Sequence, residues 1–383
     1  MKNIAIFCDG TWQNLSQRYP TNVTRLARAT TPVAKDGARE VPQVIYYDDG
    51  VGVGNGVVDS AQRLLGGAFG EGLDAKIAQA YEFLCLNYCP GDRIFVFGFS
   101  RGAYTARSLV GLLRRTWILK RRNIGLVDQA IDIYRNHSKD AVETAVFREN
   151  NCFPMSFDMG GRPASPKAAA SAANPSTATV QFVGVWDTVG SLGVPKALPF
   201  AGLLNNKYRF HDEALSRFVI SARHAVAIDE RRTAFAPTLW DNLDALNANA
   251  SASALPYAQR PYQQVWFPGD HGAVGGGESD GGISLDPLLW IAEGASLAGL
   301  GFDADMIAMY RSSTDPTADF PASHRSIGEF LIDVAGEADR IGPDSTDEIS
   351  GAATTRWRAL RAYRPKPLRR WKAFLDEQPA VTV

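Results

Sequence analysis

The sequence has almost no net charge and no long apolar run. Over 383 residues the formal net charge is −1, so no whole-molecule field draws the protein onto nucleic acid or an anionic membrane. Nowhere do about eighteen apolar residues follow one another, and the apolar stretch Ile4–Cys8 is too short for the core of a signal peptide. We expect a protein that folds in the cytoplasm, binds no nucleic acid and has neither a secretory signal nor a membrane-spanning helix.

Cysteine and nucleotide-binding signals are also sparse. The chain has 4 cysteines, and only Cys85 and Cys89 are close together, as i and i+4 of an expected helix. Without a second pair or a nearby histidine, this spacing is not a zinc signature, and it is typical of reduced, structural thiols. The glycine-rich run Gly50–Gly56 lacks the G-x-G-x-x-G spacing of dinucleotide sites. We therefore expect no metal and no cofactor.

Strand and helix patterns alternate along the chain. Buried strands are predicted at Ile4–Cys8, Gln43–Tyr47, Ile94–Phe97, Val180–Trp186 and Gln264–Phe267. Apolar residues recur at helical spacing from Leu73 to Cys85, as the crossover between two parallel strands requires. A helix is also predicted over Asp212–Ala222. The expected fold is α/β, with a mostly parallel central sheet and helices on both faces.

The domain organisation is predicted from the same pattern. Residues 1–300 should form the main domain, with lid-like insertions at about 114–179 and 235–262, and residues 301–383 a helical extension packed on it. Two stretches poor in large apolar groups, 161–179 and Asn242–Ser253, are typical of flexible surface loops, although the second could form a short helix.

Ser100 stands at the junction of a predicted strand and a predicted helix. It lies in Gly98-Phe-Ser-Arg-Gly102, after the apolar run Arg93–Phe97 and before the helical pattern Ala103–Leu113. Such a G-x-S-x-G turn is a nucleophile elbow, which strains the serine toward positive φ and leaves its hydroxyl exposed. Glycines two residues either side allow strand and helix to approach. The context predicts a serine hydrolase of the α/β-hydrolase type.

Serine catalysis needs a base and a carboxylate that orients the base. Asp187 follows the strand Val180–Trp186, and His271 lies in a glycine-rich loop after the strand Gln264–Phe267, so the chain offers the order Ser, Asp, His. His224 competes as the base, but it lies within an apolar pattern, where a hydrogen-bonded core histidine is more usual. We therefore favour Ser100, Asp187 and His271 as the catalytic residues.

Backbone N–H groups would hold the oxyanion. The N–H of Arg101, at the start of the expected helix, is one candidate. The turn after the first strand, Asp9-Gly-Thr-Trp12, offers Gly10 or Thr11 as the second. An ordinary Asp-Gly turn that only leaves the strand explains these residues equally well.

Two basic stretches contain aromatic residues. They are 114–122 and 356–372, the latter with Trp357, Tyr363 and Trp371. A solvated helix face with packed side-chain stems explains both. The alternative is peripheral contact with a membrane, where cations attract anionic headgroups and tryptophans lie at the interface.

The motifs together resemble a known family. The segments that carry the resemblance are Phe7–Trp12, Tyr47–Gly52, Gly98–Arg107, Val185–Ser191, His224–Arg232 and Trp266–Gly277. In this order they are similar to the uncharacterised α/β-hydrolase family that includes the phospholipase effectors of bacterial type VI secretion, the type VI lipase effector 1 group. The resemblance runs over about residues 2–300.

The resemblance implies a triad of Ser100, Asp187 and His271, lipid or phospholipid acyl esters as substrate, export by a type VI system, and an immunity or secretion partner. Family members usually have Asp where this chain has Ala273, a loss that Asp270 or Asp280 would have to make good. Two hypotheses follow. The first is an esterase or lipase that works through an acyl-enzyme, and the second is a catalytically silent scaffold that binds a protein or lipid partner.

Overall fold

A seven-stranded sheet forms the centre of the molecule. The computed structural model describes residues 1–10, 13, 15–50, 68–136, 141–153, 179–190, 214–279, 281–320 and 336–377. The strands of the central sheet are β1 (Asn3–Cys8), β2 (Val33–Asp36), β3 (Arg39–Asp48), β4 (Arg93–Phe99), β7 (Thr179–Trp186), β8 (Val219–Ala227) and β9 (Tyr262–Phe267), and β5 (Ile118–Leu119) pairs with β6 (Cys152–Phe153) in a separate ribbon.

The strand order in the sheet is β2-β3-β1-β4-β7-β8-β9. All neighbours are parallel except β2 and β3, which are antiparallel. Parallel strands end at a common edge, so the segments that follow β4, β7 and β9 lie at the same edge of the sheet. Ser100, Asp187 and His271 follow these three strands in turn.

Both faces of the sheet are covered, as the apolar strands require. Side chains alternate between faces along a strand, and in β1 Ile4 and Ile6 belong to one apolar cluster while Ala5 and Phe7 belong to another. The helices of the described ranges are α1 (Asn22–Ala29), α2 (Ala68–Asn87), α3 (Arg101–Thr116), α4 (Val127–Asn136), α5 (Val142–Asn151), α6 (Leu243–Asn249), α7 (His271–Gly275), α8 (Leu285–Leu297), α9 (Ala304–Ser312), α10 (Gly351–Ala359) and α11 (Lys372–Glu377). In these ranges no helix combines the length and apolarity that crossing a bilayer demands.

The α/β architecture with a mostly parallel sheet is confirmed, but one local prediction is wrong and one is decided for its alternative. Part of the predicted helix Asp212–Ala222 lies outside the described residues, and from Val219 onward the chain is strand β8. For the Asn242–Ser253 stretch the alternative, a short helix, is the one observed: it contains α6, whose Leu243 and Leu246 are buried in the core. The other predicted loop, 161–179, lies outside the described residues except for Thr179, which begins β7.

The C-terminal part of the chain contacts the edge of the sheet. Trp266 of β9 bridges to Ile349, and its carbonyl accepts the Ser350 N–H at 3.1 Å. Trp357 and Leu375, from α10 and α11, are buried in one apolar cluster with Trp266. These contacts tie residues far along the chain to the last strand of the sheet.

Candidate active site

Ser100 occupies the sharp turn between β4 and α3. Its φ is 57°, a strained value for a residue other than glycine, as the strand-turn-helix context predicts. Its N–H donates to the Trp186 carbonyl at 3.1 Å, which holds the turn against the end of β7. The close approach of α3 to β1 requires a glycine at 102, because a Cβ there would lie 2.2 Å from the Cys8 carbonyl oxygen.

His271 lies directly beside Ser100. It begins the short helix α7, where Asp270 caps the helix by accepting the Ala273 N–H at 2.9 Å. Its Nε2 is 2.8 Å from Ser100 Oγ and its Nδ1 is 2.6 Å from Asp187 Oδ2. The rings of Phe99 and Phe235 pack against the imidazole, with centroids at 4.7 and 4.6 Å. These contacts hold the ring between the two other side chains.

Asp187 is completely buried and makes contacts through both carboxylate oxygens. Oδ1 accepts the Ala227 N–H at 3.0 Å, and the Arg340 guanidinium donates to Oδ1 at 2.5 Å and to Oδ2 at 2.9 Å. Burial would raise the pKa of Asp187, but the Arg340 charge and the hydrogen bonds from His271 and Arg340 outweigh it and hold the pKa well below its usual range. Asp187 is therefore ionised. An ionised carboxylate accepts, so Nδ1 of His271 carries the proton and Nε2 accepts the Ser100 hydroxyl.

The structure thus brings the three predicted side chains into one hydrogen-bonded chain. Sequence reasoning missed Arg340, which reaches Asp187 from 153 residues further along the chain. No local motif marks it among the 40 Lys and Arg residues. It also missed the two phenylalanines that enclose the imidazole, since nothing in an apolar pattern says which ring faces a site.

His224 does not reach Ser100 in the hydrogen-bond network and belongs to the core. It lies on β8, fully buried, where its Nε2 accepts the Thr188 N–H at 3.2 Å and its Nδ1 lies 3.0 Å from Gln264 Oε1. Burial, helped by the nearby Arg107 charge, lowers the pKa of His224 to about 3. It is a neutral core histidine with both ring nitrogens engaged.

Three backbone N–H groups are the predicted donors to the oxyanion, those of Gly10, Thr11 and Arg101. The Gly10 N–H donates to Asp9 Oδ1 at 2.7 Å, and its role as an oxyanion donor stays a prediction. Asp9 itself is anchored by the hydroxyls of Thr21 and Tyr47. Thr11 lies outside the described residues. Arg101 begins α3 immediately after Ser100, and its role as donor stays a prediction.

Ala273, where the family usually has Asp, is buried in α7. A Cβ built on Gly269 would lie 2.5 Å from the Ala273 methyl, so this methyl packs closely against the chain that leads into His271. Asp270 supplies the helix cap, while Asp280 lies outside the described residues. In the described ranges no group of three or more His, Cys, Asp or Glu side chains has the arrangement of a metal site.

Asp229→Asn is expected to stabilise the protein at neutral pH and to do so less in acid. Burial raises the pKa of Asp229 from 3.8 to about 6, although the Gly269 N–H and the Tyr363 hydroxyl donate to the carboxylate. Because the folded-state pKa lies above the unfolded value, ionisation of Asp229 lowers the free energy of unfolding as the pH rises from about 4 to 6. Above that window the full cost is present, which is roughly 3 kcal/mol at most.

Thermal unfolding at about pH 4.5 and pH 8 measures this difference. The gain in Tm of Asp229→Asn should be larger at the higher pH, because the amide removes a carboxylate that is charged only there. Asp241→Asn, a substitution at an exposed aspartate, serves as the control and should change Tm little at either pH. An equal gain at both pH values would contradict the expectation.

The membrane-contact prediction is wrong for Trp357. This side chain is 1% exposed, its indole N–H donates to Asp376 at 2.8 Å, and the Arg364 guanidinium stacks on its ring at 4.2 Å. Arg356 is also buried and donates to the Pro316 and Ala318 carbonyls. Both side chains stabilise the C-terminal segment and are not available to a lipid surface. The exposed cations of this stretch and of 114–122 are Arg121, Arg122, Arg361, Lys366, Arg369, Arg370 and Lys372.

Comparisons with known proteins agree with the motif pattern. The Saccharomyces cerevisiae uncharacterized protein YEL023C is 30% identical over 251 residues, which is 61% of this chain and 32% of that protein. A crystal structure of an uncharacterized protein from Pseudomonas aeruginosa is 16% identical with a TM-score of 0.43, over 99% of this chain and 55% of that one.

The structure of the Tle1 effector bound to the VgrG spike from the type 6 secretion system is 18% identical with a TM-score of 0.37, over 72% of this chain and 51% of that one. This chain thus spans about a third of the yeast relative and about half of each solved protein. The family model described as "T6SS, Phospholipase effector Tle1-like, catalytic domain" matches residues 2–294. Since this match covers well over half of the sequence, the chain belongs to the Tle1-like family of type VI secretion phospholipase effectors through its catalytic domain.

Proposed function

We propose that this protein is a serine hydrolase that cleaves carboxylic acyl esters of lipids, with phospholipids as the substrate class. The observation that carries the proposal is the unbroken chain of hydrogen bonds from Asp187 through His271 to the Ser100 hydroxyl, at 2.6 and 2.8 Å. A histidine with only a structural role in the core does not require a hydrogen bond to a serine on a strained turn. This arrangement instead supplies a nucleophile, a base and an orienting carboxylate in the geometry that acyl transfer requires.

The first half of the reaction forms an acyl-enzyme. Ser100 Oγ attacks the ester carbonyl while His271 Nε2 accepts the hydroxyl proton, so that a new C–O bond forms and the carbonyl oxygen becomes an oxyanion. The N–H of Arg101, at the start of α3, is our candidate donor to that oxyanion. The imidazolium then returns the proton to the leaving alcohol oxygen as the tetrahedral intermediate collapses.

The second half releases the fatty acid. Water takes the place of the alcohol, loses a proton to His271 Nε2 and adds to the acyl carbon, and collapse of this intermediate returns the proton to Ser100. The carboxylate of Asp187 keeps the Nδ1 proton in place in both halves and stabilises the imidazolium that forms transiently. Phe99 and Phe235, packed on the ring, limit its rotation between the two steps.

The substrate class is inferred from the family, whose description names phospholipase effectors. The same description supports a partner in a type VI secretion apparatus and export by that route. For surface contact with lipid we retain only the exposed cations, such as Arg121, Lys366 and Arg369, because Trp357 is buried and Trp371 is partly buried. Attraction of such cations to anionic headgroups should weaken as salt is added.

Covalent labelling and vesicle hydrolysis test the proposal together. A fluorophosphonate probe reacts with an activated serine, and digestion followed by mass spectrometry should locate the adduct on Ser100. Vesicles of phosphatidylethanolamine and phosphatidylglycerol should release free fatty acid in the presence of the protein, and pretreatment with the probe should stop that release. A protein that neither labels nor releases fatty acid would instead be a catalytically silent scaffold.

A further inference from the structure

Arg340 is the buried partner of the carboxylate that orients the proposed base. Its side chain is 4% exposed and that of Asp187 is 0% exposed. The guanidinium contacts both oxygens of Asp187, at 2.5 and 2.9 Å, and also donates to the carbonyls of Ala227 and Phe235 at 2.9 and 2.8 Å. Four hydrogen bonds therefore fix the fork of this arginine in a single position.

This contact comes from outside the part of the chain that the family model matches. The match ends at residue 294, and Arg340 follows in the segment that leads to the C-terminal contacts on β9. A bidentate fork fixes the plane of a carboxylate, and Arg340 takes both oxygens of Asp187 from one side. Oδ2 is left to face His271 Nδ1 at 2.6 Å.

We propose that Arg340 is a positioning residue for the reaction, which holds the Asp187 carboxylate ionised and aimed at His271 and thereby limits the proton affinity of the Asp187–His271 pair. The inference rests on the proposed function of Ser100 and its two partners. It assigns to the segment beyond the family match a direct part in the electrostatics of the site.

The charge of Arg340 acts on the pair as a unit. Coupled groups take up a proton together, and a cation beside them makes that uptake less favourable whichever group the proton occupies. The other charged or titratable groups near the pair are Glu230, which accepts the His271 backbone N–H and is paired with Arg232, and the core histidine His224 on β8, on which the charges of Asp187 and Arg107 act. None of them is altered chemically by a substitution at position 340, so we read a change in the pH profile of such a variant as the effect of Arg340.

The rate of fluorophosphonate labelling as a function of pH tests this role, because the base must be neutral to activate the serine. Arg340→Gln should move the acidic limb of the profile to higher pH by about one unit or more, the shift that an opposite charge at this range produces. Arg340→Lys keeps the positive charge but loses the two-pronged contact with the carboxylate. The acidic limb of its pH profile should therefore stay close to that of the wild type, while its labelling rate on the plateau should fall. Arg223→Gln removes a different buried arginine, which lies on β8 and is paired with Glu293, and should leave the acidic limb in place.

The possible results separate a failure of the proposed function from a failure of the role of Arg340. Wild-type protein that does not label, or Ser100→Ala that labels as well as wild type, overturns the proposed function itself. Wild type that labels normally beside an Arg340→Gln variant with an unmoved acidic limb overturns only the role of Arg340. If Arg340→Gln fails to fold by near-ultraviolet circular dichroism, the Lys variant decides: a wild-type plateau in Arg340→Lys means that the ion pair is structural and overturns the inference.

Discussion

Ser100→Ala is expected to lower kcat for ester hydrolysis by about 10⁴-fold or more, with little change in KM. The substitution removes one oxygen atom from a side chain that is 4% exposed and leaves the backbone turn in place. His271 then has no hydroxyl to deprotonate, and the acyl-enzyme cannot form. Turnover of a p-nitrophenyl ester and of phospholipid vesicles measures the effect.

A matched control comes from the same helix. Ser108 lies on α3 and is buried, so Ser108→Ala makes the same chemical change eight positions from the proposed nucleophile and should retain activity. His271→Ala should lose about as much as Ser100→Ala, and the double variant no more than either, because residues that act as a unit are not additive. Activity of Ser100→Ala equal to that of wild type would rule out the proposed reaction.

Gly102→Ala is expected to cost at least about 3 kcal/mol in the free energy of unfolding, since overpacking against backbone has no flexible neighbour to relieve it. The added methyl would lie 2.2 Å from the Cys8 carbonyl oxygen and 2.4 Å from that of Asp9. Both atoms belong to the backbone at the end of β1, which is paired on both sides within the sheet. A marginally stable domain cannot absorb such a loss without a large fall in Tm.

Denaturant unfolding compares this variant with Gly351→Ala. Gly351 begins α10, and a Cβ there would meet no atom within 4 Å, so this control should be neutral or slightly stabilising, as alanine is in helices. The Gly102 variant should have a lower midpoint or collect in inclusion bodies. A midpoint equal to that of wild type would show that α3 can move away from β1 without cost.

Much of the fold and most of the proposed site follow from local sequence patterns. The apolar runs Ile4–Cys8 of β1 and Ile94–Phe97 of β4 are continuous because these strands are buried on both faces, and each ends at the edge where a predicted side chain lies. The positive φ of Ser100 follows from the sharp turn between β4 and α3, and the glycines at 98 and 102 permit the close approach that the turn requires. The meeting of Ser100, Asp187 and His271 follows from parallel topology, which brings the ends of non-consecutive strands together.

The errors have a common physical origin in contacts between distant residues. Strand β8 is hard to recognise as a strand because it contains polar residues whose partners lie far along the chain. Arg223 pairs with Glu293, and His224 contacts Gln264. The stretch around α6 is rich in Ala, Asn and Ser, and only the burial of Leu243 and Leu246 against the sheet makes it a helix. Arg340 gave no local signal for the same reason.

The long loop closed by the contact between Asp187 and Arg340 bears on the order of events during synthesis. A nascent chain can bring Ser100, Asp187 and His271 together before residue 340 leaves the ribosome, since Arg340 lies well beyond His271 in the sequence. Until then the carboxylate has no cation to compensate its burial, and closure of so long a loop is slow. The centre therefore matures only after residue 340 has emerged, so a product truncated before that residue would carry the three side chains without the charge that balances them.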